Sequence, residues 1–375
     1  MAGIYIHIPY CKKKCCYCNF HFRTNHSEKT KMLKSIKQEL KLRKSYLNGE
    51  VIHSIYFGGG TPSILNAKEI YSLLEKINKY FTIDSNAEIT LECNPEDLNK
   101  GMLKNLKETR INRLSIGVQS FDDKDLIFMN RSHTAAEAIE CIALAKKIGF
   151  KNITIDLIYG IPKQSNAKWK KNLEQMLALE IQHFSAYALT SEPNTKLNHL
   201  VKTKKIKLLS DTKIITQFNT LIDIASKNDF IHYEISNFGR EGFFSNHNTS
   251  YWKNKHYIGV GPSAHSFNGE SRTWNISSNK KYIQGVLNNT VYSETEILNE
   301  EQKYNEYILT NLRTIWGVNL SYIKNQFDIE IYNYFKAHIK RWEIEKKIEK
   351  YKDSYTLTKQ GKLYADAIAS NLFII

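Results

Sequence analysis

Four of the six cysteines crowd into the eight positions Cys11-Lys12-Lys13-Lys14-Cys15-Cys16-Tyr17-Cys18, directly after a short β-branched run that stops at Pro9. With the other two far away at Cys93 and Cys141, such crowding favours a metal site over disulfides. Cys11, Cys15 and Cys18 have C-x3-C-x2-C spacing, and a loop of this size turns three thiolates towards one corner of a cubane. A [4Fe–4S] cluster held by three ligands keeps one iron open. S-adenosylmethionine (SAM) chelates such an iron through its amino and carboxylate groups, and an electron from the cluster then breaks the sulfonium bond. The alternative is a zinc site completed by His7 or His21, although zinc motifs more usually pair C-x2-C units. Cys16 has no ligand role in this spacing. Cys141, in the Ala-rich amphipathic stretch Ala136–Ile148, reads as a buried small apolar residue.

The rest of the chain predicts the scaffold for that loop. Strand-like runs Ile4–Ile8, Ser54–Phe57, Glu88–Glu92, Arg113–Val118, Asn152–Ile158 and His183–Ala188 alternate with stretches of helical apolar spacing. Those stretches are Lys29–Leu47, Ala67–Tyr80, Pro95–Lys107, Thr134–Ile148 and Lys168–Leu179. Six strands alternating with helices read as a parallel α/β sheet that curls into an open or closed barrel. Beyond residue 200 the pattern changes. Lys202–Ser226 reads as one long basic helix, residues 230–275 are rich in aromatics, His, Asn and Gly, and Glu300–Ile375 returns to short helical patterns. These include Glu301–Thr314 and the closing Thr358–Leu372.

Bulk properties exclude some classes. No apolar run approaches the roughly 20 residues of a membrane-spanning helix, and the start lacks a signal-peptide pattern, so the expected location is cytoplasmic. Net charge is +15, but the excess is 44 Lys against 9 Arg, mixed with Glu and Asn on helical stretches. Arg is the better fork for phosphates and base edges, so the expectation is a solvated basic surface and no nucleic acid. A nucleic-acid-modifying enzyme remains the third reading, resting on charge alone.

The motifs around the cysteines sharpen this picture. The C-x3-C-x2-C spacing is that of the radical SAM superfamily. Tyr5-Ile6-His7-Ile8-Pro9-Tyr10-Cys11 and Phe57-Gly58-Gly59-Gly60-Thr61-Pro62-Ser63 resemble the oxygen-independent coproporphyrinogen III oxidase family within it. Leu91-Glu92-Cys93-Asn94-Pro95, Gly117-Val118-Gln119-Ser120, Asp156-Leu157-Ile158-Tyr159-Gly160 and Ser185-Ala186-Tyr187-Ala188-Leu189 fall at further strand ends. In α/β barrels that rim carries the active site. The resemblance implies an α/β fold, an incomplete (β/α)6 TIM-like radical SAM barrel with a small, mainly helical C-terminal domain. The expected divisions are 1–230 for the barrel, 231–295 for an extension and 296–375 for the C-terminal domain. It also implies that Glu92 bonds the SAM ribose and that Tyr5, Tyr17, Gly59, Gly60, Thr61, Gln119, Arg131, Asp156, Ala188 and His265 line the SAM site. A strand-end Glu or Asp that only caps the next helix is the ordinary alternative.

The family holds both decarboxylating oxidases and haem chaperones. The oxidases carry a fourth Cys two residues past the third, where this chain has Phe20, and an extension before the first Cys, which here is nearly at the start. His247-Asn248-Thr249-Ser250-Tyr251-Trp252 is similar to the chaperones' H-N-x-x-Y-W motif, whose His ligates haem iron. Tyr251, Trp252 and Tyr257 would face a porphyrin, and Lys253 and Lys255 its propionates. A His247 merely packed by aromatics is the competing reading. Glu192-Pro193-Asn194-Thr195 departs from the family's E-P-G-T, but Asn tolerates the left-handed backbone that Gly would adopt. The resemblance implies a haem chaperone binding a [4Fe–4S] cluster, SAM and haem. Its implied partners are an acceptor haemoprotein, respiratory and membrane-associated or otherwise, and a reductant protein. The implied state is a monomer or a haem-linked dimer. The oxidase is the alternative, so enzymatic activity stays open.

Overall fold

The computed structural model describes residues 2–375. The six expected strands are all present: β1 Ala2–Ile8, β2 Ile52–Gly59, β3 Ile83–Cys93, β4 Arg113–Gln119, β5 Asn152–Tyr159 and β6 His183–Ala188. They pair in sequence order, each parallel to the next. Side chains alternate across a strand. Ile4, Ile6, Ile55, Phe57, Leu91, Leu114, Ile116, Ile155 and Phe184 turn outward to one core with Met32, Ile36, Leu73, Ile142 and Leu173 of the surrounding helices. The opposite set, Tyr5, Ser54, Tyr56, Glu88, Glu92, Arg113, Asp156 and His183, faces inward, so the barrel has a polar lumen.

The extension expected at 231–295 is not a separate layer. Strands β7 Ile231–Glu234 and β8 Asn237–Gly239 continue the sheet beyond β6, and β9 Tyr257–Val260 pairs parallel with β1. Beyond β9 follow β10 His265–Phe267, β11 Ser271–Asn275 and β12 Ser293–Ile297. Among the described residues the sheet thus has twelve strands in the order β12-β11-β10-β9-β1-β2-β3-β4-β5-β6-β8-β7, with β12 and β7 at its ends. Ile258, Val260, Tyr282 and Val286 join the barrel's own core. These strands run three to five residues, too short for a periodicity to stand out.

Three helical expectations change. The first helix is Lys29–Leu42, ending five residues early. Asn99 caps a helix Lys100–Lys107, leaving Pro95–Asp97 as a single 3-10 turn. The long basic helix expected from Lys202 begins only at Asp211 and runs to Lys227; Lys202 instead ends a short helix Lys196–Lys202, and Lys204 takes a left-handed backbone. The C-terminal part has its own core, from Tyr304 and Ile308 to Ile368 and Leu372. Around its helices lies a three-stranded sheet that the helical reading missed: β13 Val318–Asn319, β14 Ile348–Tyr351 and β15 Ser354–Leu357. Among the described residues, no helix is long and apolar enough to cross a membrane.

A buried carboxylate ties the added strands to the barrel. Glu39, fully buried in the first helix, accepts from Tyr282 Oη at 2.6 Å, Asn275 Nδ2 at 2.8 Å and the Gly261 N–H at 2.9 Å. Arg43 Nη1 lies 3.2 Å from it and also donates to the Gly259 carbonyl at 3.0 Å. Glu39→Ala strands these donors and leaves the guanidinium without its partner, at a cost on the order of 3–5 kcal/mol. The expected result is a large drop in the urea midpoint. A midpoint within experimental error of the wild type would show that the network does not hold the edge.

Candidate functional site

The parallel register of β1 and β2 sets Ile8 opposite Gly59. Gly60 N–H donates to the Ile8 carbonyl at 2.9 Å and Thr61 N–H to the Tyr10 carbonyl at 2.7 Å, so the β2 loop lies directly against the cysteine loop. A Cβ at Gly60 would come within 2.6 Å of the Tyr10 carbonyl oxygen, which explains a glycine there. The loop is held on its far side by Asn130 Nδ2 on the Lys14 carbonyl at 2.8 Å and by Lys12 on Asp97. Ser63 Oγ donates to the same Asp97 at 2.6 Å.

Cys11, Cys15 and Cys18 all line one cavity of 410 Å³ at the C-terminal rim of the barrel. Thr61 Oγ1 lies 3.4 Å from the Cys11 sulfur and Arg131 Nη1 3.4 Å from the Cys15 sulfur. Cys16 points away, buried among Leu126, Met129, Ile158, Ile161 and Leu197. Burial pushes the Cys11 thiol up to about 12, with the Thr61 bond acting against it. A metal that binds there must take the proton's place. Both candidate zinc imidazoles are engaged elsewhere: His7 Nε2 lies 2.9 Å from the His21 carbonyl, and His21 Nε2 lies 2.7 Å from Asn279 Oδ1. Among the described residues no three His, Cys, Asp or Glu side chains converge on one ion position. Three thiols spread round a cavity mouth fit a cubane corner better than a single ion bound at about 2.3 Å from each sulfur.

The same cavity is lined by Tyr17, Gly59, Gly60, Thr61, Glu92, Gln119, Arg131, Asp156 and Ala188, nine of the eleven residues expected at the SAM site. Tyr5 and His265 are not on its wall. Tyr5 stacks one layer deeper, on Tyr56 with ring centroids 6.2 Å apart. Ser266 is buried against the first helix, its Oγ accepting from Arg43 Nη2 at 2.9 Å, so its neighbour His265 lies on the opposite face of the strand and is exposed to solvent. Sequence reasoning missed Asn94, whose Oδ1 accepts from Arg131 Nη2 at 2.7 Å, although the Glu92-Cys93-Asn94-Pro95 motif contained it. It also missed Tyr56, whose hydroxyl donates to Glu92 at 2.8 Å. Phe20 stands 70% exposed at the cavity mouth. Asn194 has φ of 63°, the left-handed backbone expected of it.

His247 lies at the other end. It sits in the helix Asn246–Trp252, 1% exposed, against Ser54 and Glu88, the first inward residues of β2 and β3. Its Nδ1 is 2.9 Å from Ser54 Oγ and its Nε2 2.7 Å from Tyr251 Oη, and its ring stacks on Tyr56 at 4.9 Å. Burial, with Arg113 adding, holds the imidazole down at about 3 and therefore neutral.

Burial, with a contribution from Asp156, raises Glu92 from 4.5 to about 8, while the Tyr56 hydroxyl and the Gly59 N–H pull it down. Burial likewise lifts Asp156 to about 6 against its bond to Ser185. Between pH 4.5 and 8 the folded chain therefore holds a proton on Glu92 that the unfolded chain has released. Stability falls as pH rises through that interval. Glu92→Gln removes this contribution, so its denaturation midpoint should fall less between pH 5 and pH 8.5 than that of the wild type. Equal slopes would refute the assignment.

The sequence profile of the radical SAM superfamily matches residues 5–176. The chain is 30% identical to the haem chaperone HemW of Bacillus subtilis (strain 168) over 98% of both chains. It is 33% identical to the HemW of Lactococcus lactis subsp. lactis, covering 86% of this chain and 84% of that one. Among solved structures it resembles the Escherichia coli coproporphyrinogen III oxidase HemN, with a TM-score of 0.85 at 22% identity, over 99% of this chain and 90% of that one. The profile match and the relatives make this a radical SAM superfamily protein. Within the superfamily, the chain belongs to the family of the HemW haem chaperones.

Proposed function

We propose that the chain is a haem chaperone on a radical SAM scaffold, acting in the cytoplasm. It carries a [4Fe–4S] cluster on Cys11, Cys15 and Cys18, takes up SAM and haem, and passes haem to acceptor haemoproteins. The observation that carries this reading is three thiols around one rim cavity, in a chain that lacks the oxidases' fourth cysteine and has Phe20 in its place. The near full-length likeness to relatives named as haem chaperones supports it. When bound, the cluster and SAM together supply reductive cleavage of a sulfonium bond. The residues divide the work of holding SAM. The Gly59–Thr61 backbone meets the amino group, Glu92 the ribose, and Gln119, Arg131 and Asp156 the remaining polar groups. Ala188 offers an apolar face. Tyr5 acts from beneath by packing against Tyr56, which holds Glu92. His265, turned outward, is left out of this set.

For haem, His247 would be the residue that holds the iron, as a neutral imidazole. Ligation requires the ring to give up Ser54 and Tyr251 and to leave the lumen.

Anaerobic reconstitution tests the reading. About four irons and four sulfides per chain are expected, lost in Cys11→Ser, Cys15→Ser or Cys18→Ser and retained in Cys16→Ser. Stoichiometric zinc without sulfide would overturn the cluster. Added haemin should give a Soret band, and SAM, reductant and coproporphyrinogen III should give no decarboxylated tetrapyrrole. Decarboxylation would make the protein an oxidase.

A further inference from the structure

The residue proposed to meet haem iron is one of the most deeply enclosed in the chain, and the enclosure comes from two directions. From the barrel side, Glu88 accepts the backbone N–H groups of Asn246 and His247, both at 3.1 Å, while Ser54 and Tyr251 occupy the two ring nitrogens. From outside, the C-terminal unit grips both flanks of the same helix. After the helix, the Trp252 ring faces the Arg313 guanidinium at 5.7 Å, and the Lys253 ammonium sits 4.1 Å over the Trp316 ring. Thr310 Oγ1 donates to Asn254 at 3.2 Å. Before the helix, Phe244 stacks on Tyr233 at 4.3 Å and meets Trp316 edge-on, and Ile315 N–H donates to the Tyr233 carbonyl at 3.0 Å. One short turn, residues 310–316, thus touches the chain on either side of His247. That turn sits at the seam between the two separate cores.

We propose that the C-terminal unit is a latch on a masked haem site: its 310–316 turn keeps the Asn246–Trp252 helix in the barrel wall, and an iron–porphyrin reaches His247 only when that turn lets go. The inference rests on the reading of His247 as the axial ligand. It follows from geometry, because the one lone pair of the neutral imidazole already accepts a hydroxyl hydrogen bond and the ring is buried, so iron reaches it only once the ring is uncovered. Two packed units joined at a seam separate more readily than a single core deforms. Once the helix swings out, Tyr251, Trp252 and Lys253 leave together with His247, and they are the flat and cationic groups a porphyrin with propionates recruits. The closed population sets the apparent affinity, which falls in proportion to the open fraction.

The experiment titrates the full-length protein with haemin, following the Soret band, in wild type, Arg313→Ala/Trp316→Ala, and each with His247→Ala added. The expected result is about a tenfold rise in apparent affinity in the latch variant, abolished by His247→Ala. Equal, His247-dependent binding in wild type and latch variant would overturn the latch and leave the ligand assignment standing. Binding indifferent to His247→Ala in both backgrounds would overturn the ligand assignment and the latch with it. Tyr251→Phe, which frees Nε2 without touching the seam, guards against a latch variant that fails to fold and should also raise affinity. Hydrogen exchange of the wild type supplies the second readout. Haemin should speed exchange in 246–254 and 310–316 together, and unchanged exchange in both segments alongside His247-dependent binding would overturn the latch.

Discussion

The parallel pairing of β1 with β2 is the constraint on which the functional end of the molecule depends. It places the two strand ends level, so that the cysteine loop and the Gly58–Thr61 loop leave the sheet side by side and cross-bond through Gly60 and Thr61. A register slip of one residue would turn Tyr5 and His7 into the helical layer and Ile4, Ile6 and Ile8 into the lumen. Isoleucines that lie fully buried on the helix side make such a slip costly. The cysteine loop is therefore positioned by packing on the opposite face of its own strand, at some distance from any ligand. Asp97 completes the frame: by bonding both Ser63 and Lys12 it fastens the ends of β2 and β3 to the cysteine loop that follows β1.

The lumen can be polar because its charges are offset in place. Arg113, 1% exposed, lies 3.9 Å from Glu88 near the base, and Glu88 also accepts two backbone N–H groups of the closing helix. Higher up, where no cation sits against it, Glu92 is held near-neutral by burial and bonded by Tyr56. His183 and His247 remain uncharged with partners on both nitrogens. Each buried titratable group has thus either found a counter-charge or given up its own, the two outcomes that low-dielectric surroundings permit. This arrangement divides the barrel by function. Carboxyls ready to exchange a proton line the cavity end, and neutral rings locked in stacks close the base.

How much of this was legible in the sequence depended on segment length and on which residues carried a distinctive signal. The six parallel strands stood out because runs of four to seven strand-like residues recur in step with longer helical patterns, a repeat that marks a parallel α/β sheet. The rim residues followed from them, since strand ends are where such a barrel places its chemistry. Strands β7 to β12 were missed because three to five residues carry too little periodicity, and their place in the sheet is decided by tertiary contacts such as Glu39 with Gly261 and Asn275. The hairpin β14–β15 escaped because its strands are only four residues long and Ile348-Glu349-Lys350-Tyr351 follows directly on the Lys- and Glu-rich end of the preceding helix. Asn194 was anticipated because backbone conformation depends on the residue itself. The outward turn of His265 was not, because it depends on which neighbour claims the inside.

The position of His247 gives the sharpest contrast between motif and structure. A motif names a residue type and its spacing but carries no statement of accessibility. The same histidine can therefore be read as a ligand in the sequence and found as a packed core residue in the fold. These two descriptions agree if the protein has two arrangements of the same seam. The structure contains the elements such a switch needs: a short helix contacted on each flank, a second core distinct from that of the barrel, and a His247 ring whose bonding partners are hydroxyls. A chaperone has to release its cargo as well as capture it. On the proposed ligation, a site that is stable when closed would favour release, because the imidazole would regain Ser54, Tyr251 and the Tyr56 stack.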